Sequence, residues 1–193
     1  MVWHLPTTEK VIYLTFDDGP VPGATEFVLE NLSKFNAKAT FFCIGDNVRK
    51  HPNVFQKIIE AGHAIGNHTF NHLKGWRTPL AEYVKNVTQC QEQLAIDNQS
   101  STNLFRPPYG RITRAQIDAL QQYKIIMWDV LSYDYRKWGS VANQLRGTIN
   151  ATRSGSIVVF HDSYKAEPKM QYMLPRYLHH FANLGYAFQT IPQ

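Results

Sequence analysis

A chain of 193 residues is long enough for one domain with a substantial core and short for a complete eight-fold α/β barrel, which takes about 250. Apolar residues make up 44% and aromatic residues 13%, which excludes a disordered or low-complexity chain. The formal charge of +5 suits an anionic partner, but no basic run exceeds two residues, so nucleic-acid binding is not expected.

Short apolar runs alternate along the chain with amphipathic stretches of helical length. Strands are expected at 11–16, 39–44, 63–66, 104–106, 125–130, 156–160 and 186–190, and helices at 25–35, 52–61, 79–97, 113–123, 141–152 and 170–183. Most strand runs are apolar on both faces, as parallel strands covered by helices require. Thr78 before Pro79, and Ser140 before Val141, read as helix starts. The polar stretches 133–139 and 163–169 read as loops after strands. Repeated β-then-α units with no linker predict one α/β domain over residues 1–193, a class whose sites lie at the C-terminal strand ends. Cys43 and Cys90 are too few for a disulfide framework and read as buried small hydrophobes. No apolar run approaches the roughly 20 residues of a membrane span. The opening residues lack the basic-then-apolar pattern of an export signal, which leaves the cellular address open.

The strand ends carry the chemistry. Asp17 and Asp18 close the first strand before Gly19-Pro20, an Asp-rich turn if taken alone. His68 and His72 follow the third; on a helix, their spacing would put both imidazoles on one face, able to grip one metal ion. With a carboxylate from another strand end, two histidines hold a metal and leave positions open for water and substrate. Arg106 precedes Pro107-Pro108-Tyr109-Gly110, where the prolines pin a loop that can aim the guanidinium at a carboxylate and a backbone N–H at an oxyanion. His161 ends the sixth strand and titrates where a general acid should.

Thr-Phe-Asp-Asp-Gly at 15–19, His-Thr-Phe-Asn-His at 68–72, Arg-Pro-Pro-Tyr-Gly at 106–110 and the strand ending in His161 together resemble the polysaccharide deacetylases of carbohydrate esterase family 4. The resemblance spans nearly the whole chain and implies a distorted (β/α)7 barrel, TIM-barrel-like with parallel strands. It implies Asp17 as the general base that activates water, and Asp18, His68 and His72 as ligands of a divalent metal, Zn2+ first and Co2+ or Ni2+ as alternatives. It also implies His161 as general acid, Arg106 orienting Asp17, and the Tyr109 N–H at the oxyanion. The expected partner is an acetylated glycan such as chitin oligomers or peptidoglycan, cleaved at N-acetyl or O-acetyl groups by a monomeric enzyme; such a substrate lies in the cell envelope. Many members carry an Asp at the position of Leu131, supporting the catalytic histidine. Asp129, two residues earlier on the same strand face, is expected to supply that carboxylate; without one, a catalytically impaired sugar-binding protein is the alternative. Tyr109, Tyr135, Trp76 and Trp138 follow strand-end motifs and are candidates for stacking on sugars. His4, His51, His179 and His180 are expected at the surface, and His63 in the core or behind the site.

Overall fold

The computed structural model describes residues 1–97 and 102–193. Its strands are β1 (Val11–Asp17), β2 (Ala39–Cys43), β3 (Ala64–Asn67), β4 (Leu104–Phe105), β5 (Lys124–Ile125), β6 (Val130–Leu131), β7 (Ile157–His161) and β8 (Ala187–Phe188). The helices are α1 (Ala24–Lys34), α2 (Gly45–Lys50), α3 (Pro52–Glu60), α4 (Leu80–Asp97), α5 (Arg114–Ala119), α6 (Val141–Ala151) and α7 (Glu167–Asn183). The strands pair in parallel in the order β5-β4-β3-β2-β1-β7-β6, and β8 adds to the start of β1. This is the curled, helix-covered sheet of a distorted (β/α)7 barrel.

Several expectations need revision. The run 125–130 is not one strand. It breaks into β5, at one edge of the sheet, and β6, at the other. Residues 126–129 therefore form a covalent seam joining the two edges where a closed barrel would have a hydrogen-bonded ladder. Polarity also gave no warning that the 163–169 loop ends early, with α7 starting at Glu167, or of the extra helix α2. Helix starts differ too. Thr78 donates its hydroxyl to the Lys74 carbonyl instead of capping, and Ser140 makes no side-chain cap. The reciprocal capping box is at Thr113 and Gln116, where two otherwise unpaired N–H groups of the first turn are satisfied.

Side-chain alternation in β1 explains how a strand apolar along its length can also build a site. Ile12, Leu14 and Phe16 face outward into a core shared with Val28 and Leu32 of α1 and Tyr177 of α7. Phe16 stacks on Phe41 at 5.1 Å and lies 6.1 Å from Phe160. The alternate set, Tyr13, Thr15 and Asp17, faces the barrel interior, and register sets Asp17 beside His161 of β7. The inner floor is Phe42, Leu104, Ile126, Ile157 and Ile191.

Gly66 sits opposite Phe42 in the β2–β3 register, and a methyl group there would run into the Phe42 ring. Gly66→Ala is expected to cost about 1–3 kcal/mol by overpacking, read as a lower urea midpoint with unchanged m-value. An unshifted midpoint would show that the ring moves freely.

Candidate active site

Arg106 leaves the end of β4 and is fully buried inside the barrel. Its Nη1 donates to Asp17 Oδ1 and to Thr15 Oγ1, both at 2.7 Å; its Nε and Nη2 donate to the seam carbonyls of Ile126 (3.2 Å) and Met127 (2.9 Å). The guanidinium lies 4.1 Å from the centre of the Phe42 ring. Burial by itself would raise the Asp17 pKa, but Arg106, followed by His68 and His161, holds it below the ordinary carboxylate value. Asp17 is thus kept ionised inside a largely apolar barrel.

Asp18, His68 and His72 bring one ligand atom each to within 4.8 Å of one another. Asp18 Oδ1 lies 3.2 Å from His72 Nε2 and 3.7 Å from His68 Nε2. The spacing works without a helix, contrary to the i, i+4 expectation: the chain leaves β3 as an irregular loop, turned by left-handed Thr69 (φ 63°) and His72 (φ 57°). His68 Nδ1 is 2.7 Å from the Arg106 carbonyl. A carbonyl only accepts, so Nδ1 carries a proton and Nε2 faces the cluster. Burial, then the neighbouring His68, lowers the His72 pKa to about 4, leaving a neutral imidazole. Asp18 Oδ1 is buried with no hydrogen-bond partner among the described residues. A buried, unpartnered carboxylate oxygen within reach of two imidazole nitrogens fits a divalent cation, and the histidine and carboxylate donors accept zinc, cobalt or nickel.

His161, beside Asp17 in the β1–β7 register, lines the same cavity. Its Nδ1 is 2.8 Å from Asp134 Oδ1, and its backbone N–H donates to Asp134 Oδ2 at 2.7 Å. Burial would lower its pKa, but the charge and hydrogen bond of Asp134, with Asp18 and Asp17, outweigh that and raise it to about 9. The carboxylate behind the histidine is therefore Asp134, which corrects the expectation for Asp129. Register gives the reason. Val130 pairs with Val158, so Asp129 lies level with Ile157, four residues or about 13 Å below His161 along the strand. Asp129 instead accepts from the Ile157 N–H at 2.8 Å and from Ser156 Oγ at 3.1 Å, and it holds His4 Nδ1 at 3.0 Å. His4 is thus partly buried in a structural contact. Leu131 lines the cavity, and the chain returns Asp134 to His161 through left-handed Tyr133 (φ 58°).

A cavity of about 560 Å³ collects Asp17, Asp18, His68, His72, Tyr109 and His161, with Trp128, Leu131 and Val159 as apolar walls. Tyr109 is left-handed (φ 60°) and its ring lies 4.5 Å from His72. Among the described residues no acceptor takes its N–H, as an oxyanion donor requires. Tyr135 meets His161 edge-on at 4.9 Å. Trp138 is 86% exposed and lies outside the cavity lining. Asp162, next to His161, accepts from the Gly19 N–H and Thr25 hydroxyl, tying the end of β7 to the Asp17–Asp18 turn. His63 accepts from the Ala39 N–H and packs on Phe41. Burial raises the Cys43 thiol and pushes Cys90 up to about 12, so neither offers a thiolate. A larger groove of about 850 Å³ runs between α1, α6 and α7 on the outer face, away from this chemistry.

The sequence pattern of the family described as polysaccharide deacetylase matches residues 4–128. The chain belongs to the polysaccharide deacetylase family. A peptidoglycan-N-acetylglucosamine deacetylase of Bacillus cereus is 32% identical over 197 residues, covering 100% of this chain and 92% of the relative. A chitooligosaccharide deacetylase of Azorhizobium caulinodans is 34% identical over 166 residues, 82% of this chain and 77% of its own. Some relatives are much longer: the chain covers 39% of a Listeria monocytogenes peptidoglycan-N-acetylglucosamine deacetylase. The crystal structure of a peptidoglycan N-acetylglucosamine deacetylase superposes with a TM-score of 0.93 at 29% identity, covering 99% of this chain and 90% of that one. The carbohydrate esterase domain of a multidomain xylanase superposes at 0.88 and 27% identity, covering 95% and 88%.

For this polysaccharide deacetylase, Asp129→Asn is expected to lower stability by about 1–3 kcal/mol and leave the pH profile of kcat/KM in place. Asp134→Asn is expected to move the alkaline limb to lower pH, because the charge that stabilises the imidazolium is lost. A limb shifted by Asp129→Asn and not by Asp134→Asn would reverse the assignment.

Proposed function

We propose that this carbohydrate deacetylase hydrolyses the N-acetyl amide of N-acetylhexosamine units in a glycan, releasing acetate and leaving the free amine on the sugar. The observation that supports this best is the gathering, in one cavity, of a carboxylate held ionised, an imidazole held protonated and a three-donor cation site. That is the division an amide requires. Water must lose a proton to a base, and the poor amine leaving group must gain one from an acid.

Asp18, His68 and His72 would hold the divalent ion, which when bound supplies Lewis acidity toward water and the acetyl carbonyl. Asp17 is the base. Oδ1 is engaged by Arg106, so Oδ2 is the oxygen left to take the water proton. Two adjacent aspartates divide the work because left-handed Asp18 (φ 81°) turns its carboxylate away from that of Asp17. The carbonyl oxygen becomes an oxyanion as water adds, and the Tyr109 N–H donates to it. His161 Nε2 carries the proton delivered to the departing nitrogen, and Asp134 stabilises the imidazolium until that moment. Leu131 and Val159 give the acetyl methyl an apolar wall. The catalytically impaired alternative rested on the Leu131 substitution, and Asp134 removes its physical basis.

Acetate release from N-acetylglucosamine oligomers and from peptidoglycan glycan, with acetylated xylan as the ester control, tests the proposal. Chelation is expected to abolish it and zinc to restore it. Asp17→Asn should lower kcat by about 10²–10⁴-fold with zinc still bound, whereas His68→Ala should lose the metal; the opposite pattern for Asp17→Asn and Asp18→Asn would exchange their roles. Rate should fall as pH rises through His161's titration. With a cation at Asp18 opposing the carboxylates that raise that pKa, the alkaline limb is expected at or below about 9.

A further inference from the structure

The three cation-site residues leave two separate strand ends, Asp18 after β1 and His68 and His72 after β3, with β2 between those strands in the sheet. Ligands from separate elements grip one cation only while their spacing is held. What spans the two loops is α2, the short helix that follows β2. The N–H groups of a helix's first turn have no partner inside the helix. In α2, Gly45 donates to the Thr69 carbonyl at 3.1 Å and Asp46 to the Phe70 carbonyl at 3.0 Å, both within the loop that carries the histidines. The same turn reaches the other ligand. Asn47 Nδ2 donates to the Asp18 carbonyl at 2.7 Å, and the Ile44 N–H, just before the helix, donates to the Gly19 carbonyl at 3.0 Å.

The Asp18–Gly19 peptide is held on both edges. Asn47 takes its carbonyl, and Asp162 Oδ1 takes its N–H at 3.0 Å while the Thr25 hydroxyl anchors Asp162 Oδ2 at 2.7 Å. Gly19 is needed for that approach, because a Cβ there would collide with the Asp162 carboxylate. The peptide before Asp18 is held as well, its Asp17 carbonyl accepting from the Asp162 N–H at 3.1 Å. Two fixed peptide planes fix φ and ψ of the residue between them. Asp18 is thereby kept left-handed (φ 81°), a conformation costly for any residue with a side chain. We propose that Asn47 is a positioning residue of the cation site: bonded to Asp18 while its own helix is bonded to the histidine loop, it sets the Asp18 carboxylate at a fixed distance from His68 and His72. This rests on the reading of those three residues as cation ligands. Asn47 lies outside the cavity lining, so it acts through Asp18. Without its donor, the Asp18–Gly19 peptide turns, Asp18 relaxes toward negative φ, and its carboxylate swings off the imidazoles.

The test measures zinc affinity of the full chain by competition with a chromogenic chelator, and reads site geometry from the visible absorption of the cobalt-substituted protein. Asn47→Leu, which keeps the bulk and loses the donor, is expected to weaken zinc binding by about tenfold or more and to change the cobalt bands. Asn47→Ala is expected to do the same, and decides the matter if the leucine variant does not fold. Asp129→Asn serves as the stability control below the site and is expected to leave zinc affinity and cobalt bands at their wild-type values. Wild-type affinity and bands in a folded Asn47 variant overturn the proposal. An equal loss of zinc affinity in Asp129→Asn also overturns it, because the effect is then one of general stability. A wild type that takes up no zinc overturns the ligand set itself, an outcome distinct from zinc bound equally well with and without Asn47.

Discussion

Arg106 is the constraint on which the rest of the structure depends. A guanidinium cannot shed its charge in a protein interior, and a buried cation is costly unless every side of it is met. Here Asp17 supplies the counter-charge, Thr15 and two seam carbonyls take further donors, and Phe42 covers a face. The arrangement is reciprocal. Arg106 holds Asp17 ionised and aimed, and its own backbone carbonyl fixes the tautomer of His68. One residue thereby sets the charge of Asp17 and the orientation of His68, and β1, β2, β4 and the seam must all be in place to accommodate it.

The incomplete barrel follows from the same requirement. In a closed barrel, the carbonyls of Ile126 and Met127 would be spent on a neighbouring strand. Because the sheet ends at β5 on one side and β6 on the other, both carbonyls point free into the interior and become ligands for the guanidinium. A chain somewhat short for eight β/α units pairs seven strands in the curled sheet, and the break in closure is occupied by the residue the site most needs.

Much of this was legible in the sequence because inward positions on a parallel strand are chemically conspicuous. Asp17, Arg106 and His161 stand at the ends of apolar runs, where a charged side chain has few bland explanations, and their motifs were specific enough to name a family. Asp134 was not legible. It lies between two tyrosines in the 133–139 loop, and a left-handed residue at 133 returns it to His161, a turn that no periodicity reveals. Asp129 looked the better choice because strand alternation puts it on the right face. Alternation says nothing about height along the strand, and height excludes it. The split of 125–130 was hidden for a similar reason: two short strands with the seam between them have the same apolar composition as one continuous strand.

Among the described residues, six non-glycine residues have positive φ, and five of them, Asp18, Thr69, His72, Tyr109 and Tyr133, belong to the loops that build the site. Each costs on the order of 1 kcal/mol against a relaxed backbone, and Thr69, being β-branched, is the most strained type for that region. The cost falls on the site's own loops, while the regular strands and helices beneath carry the packing that offsets it. The scaffold and the catalytic loops are accordingly under opposite demands. Mutational drift that relaxes the backbone at these five positions makes the protein sturdier and the site less well formed, so thermal robustness alone is a poor guide to whether a variant of this chain is still an enzyme.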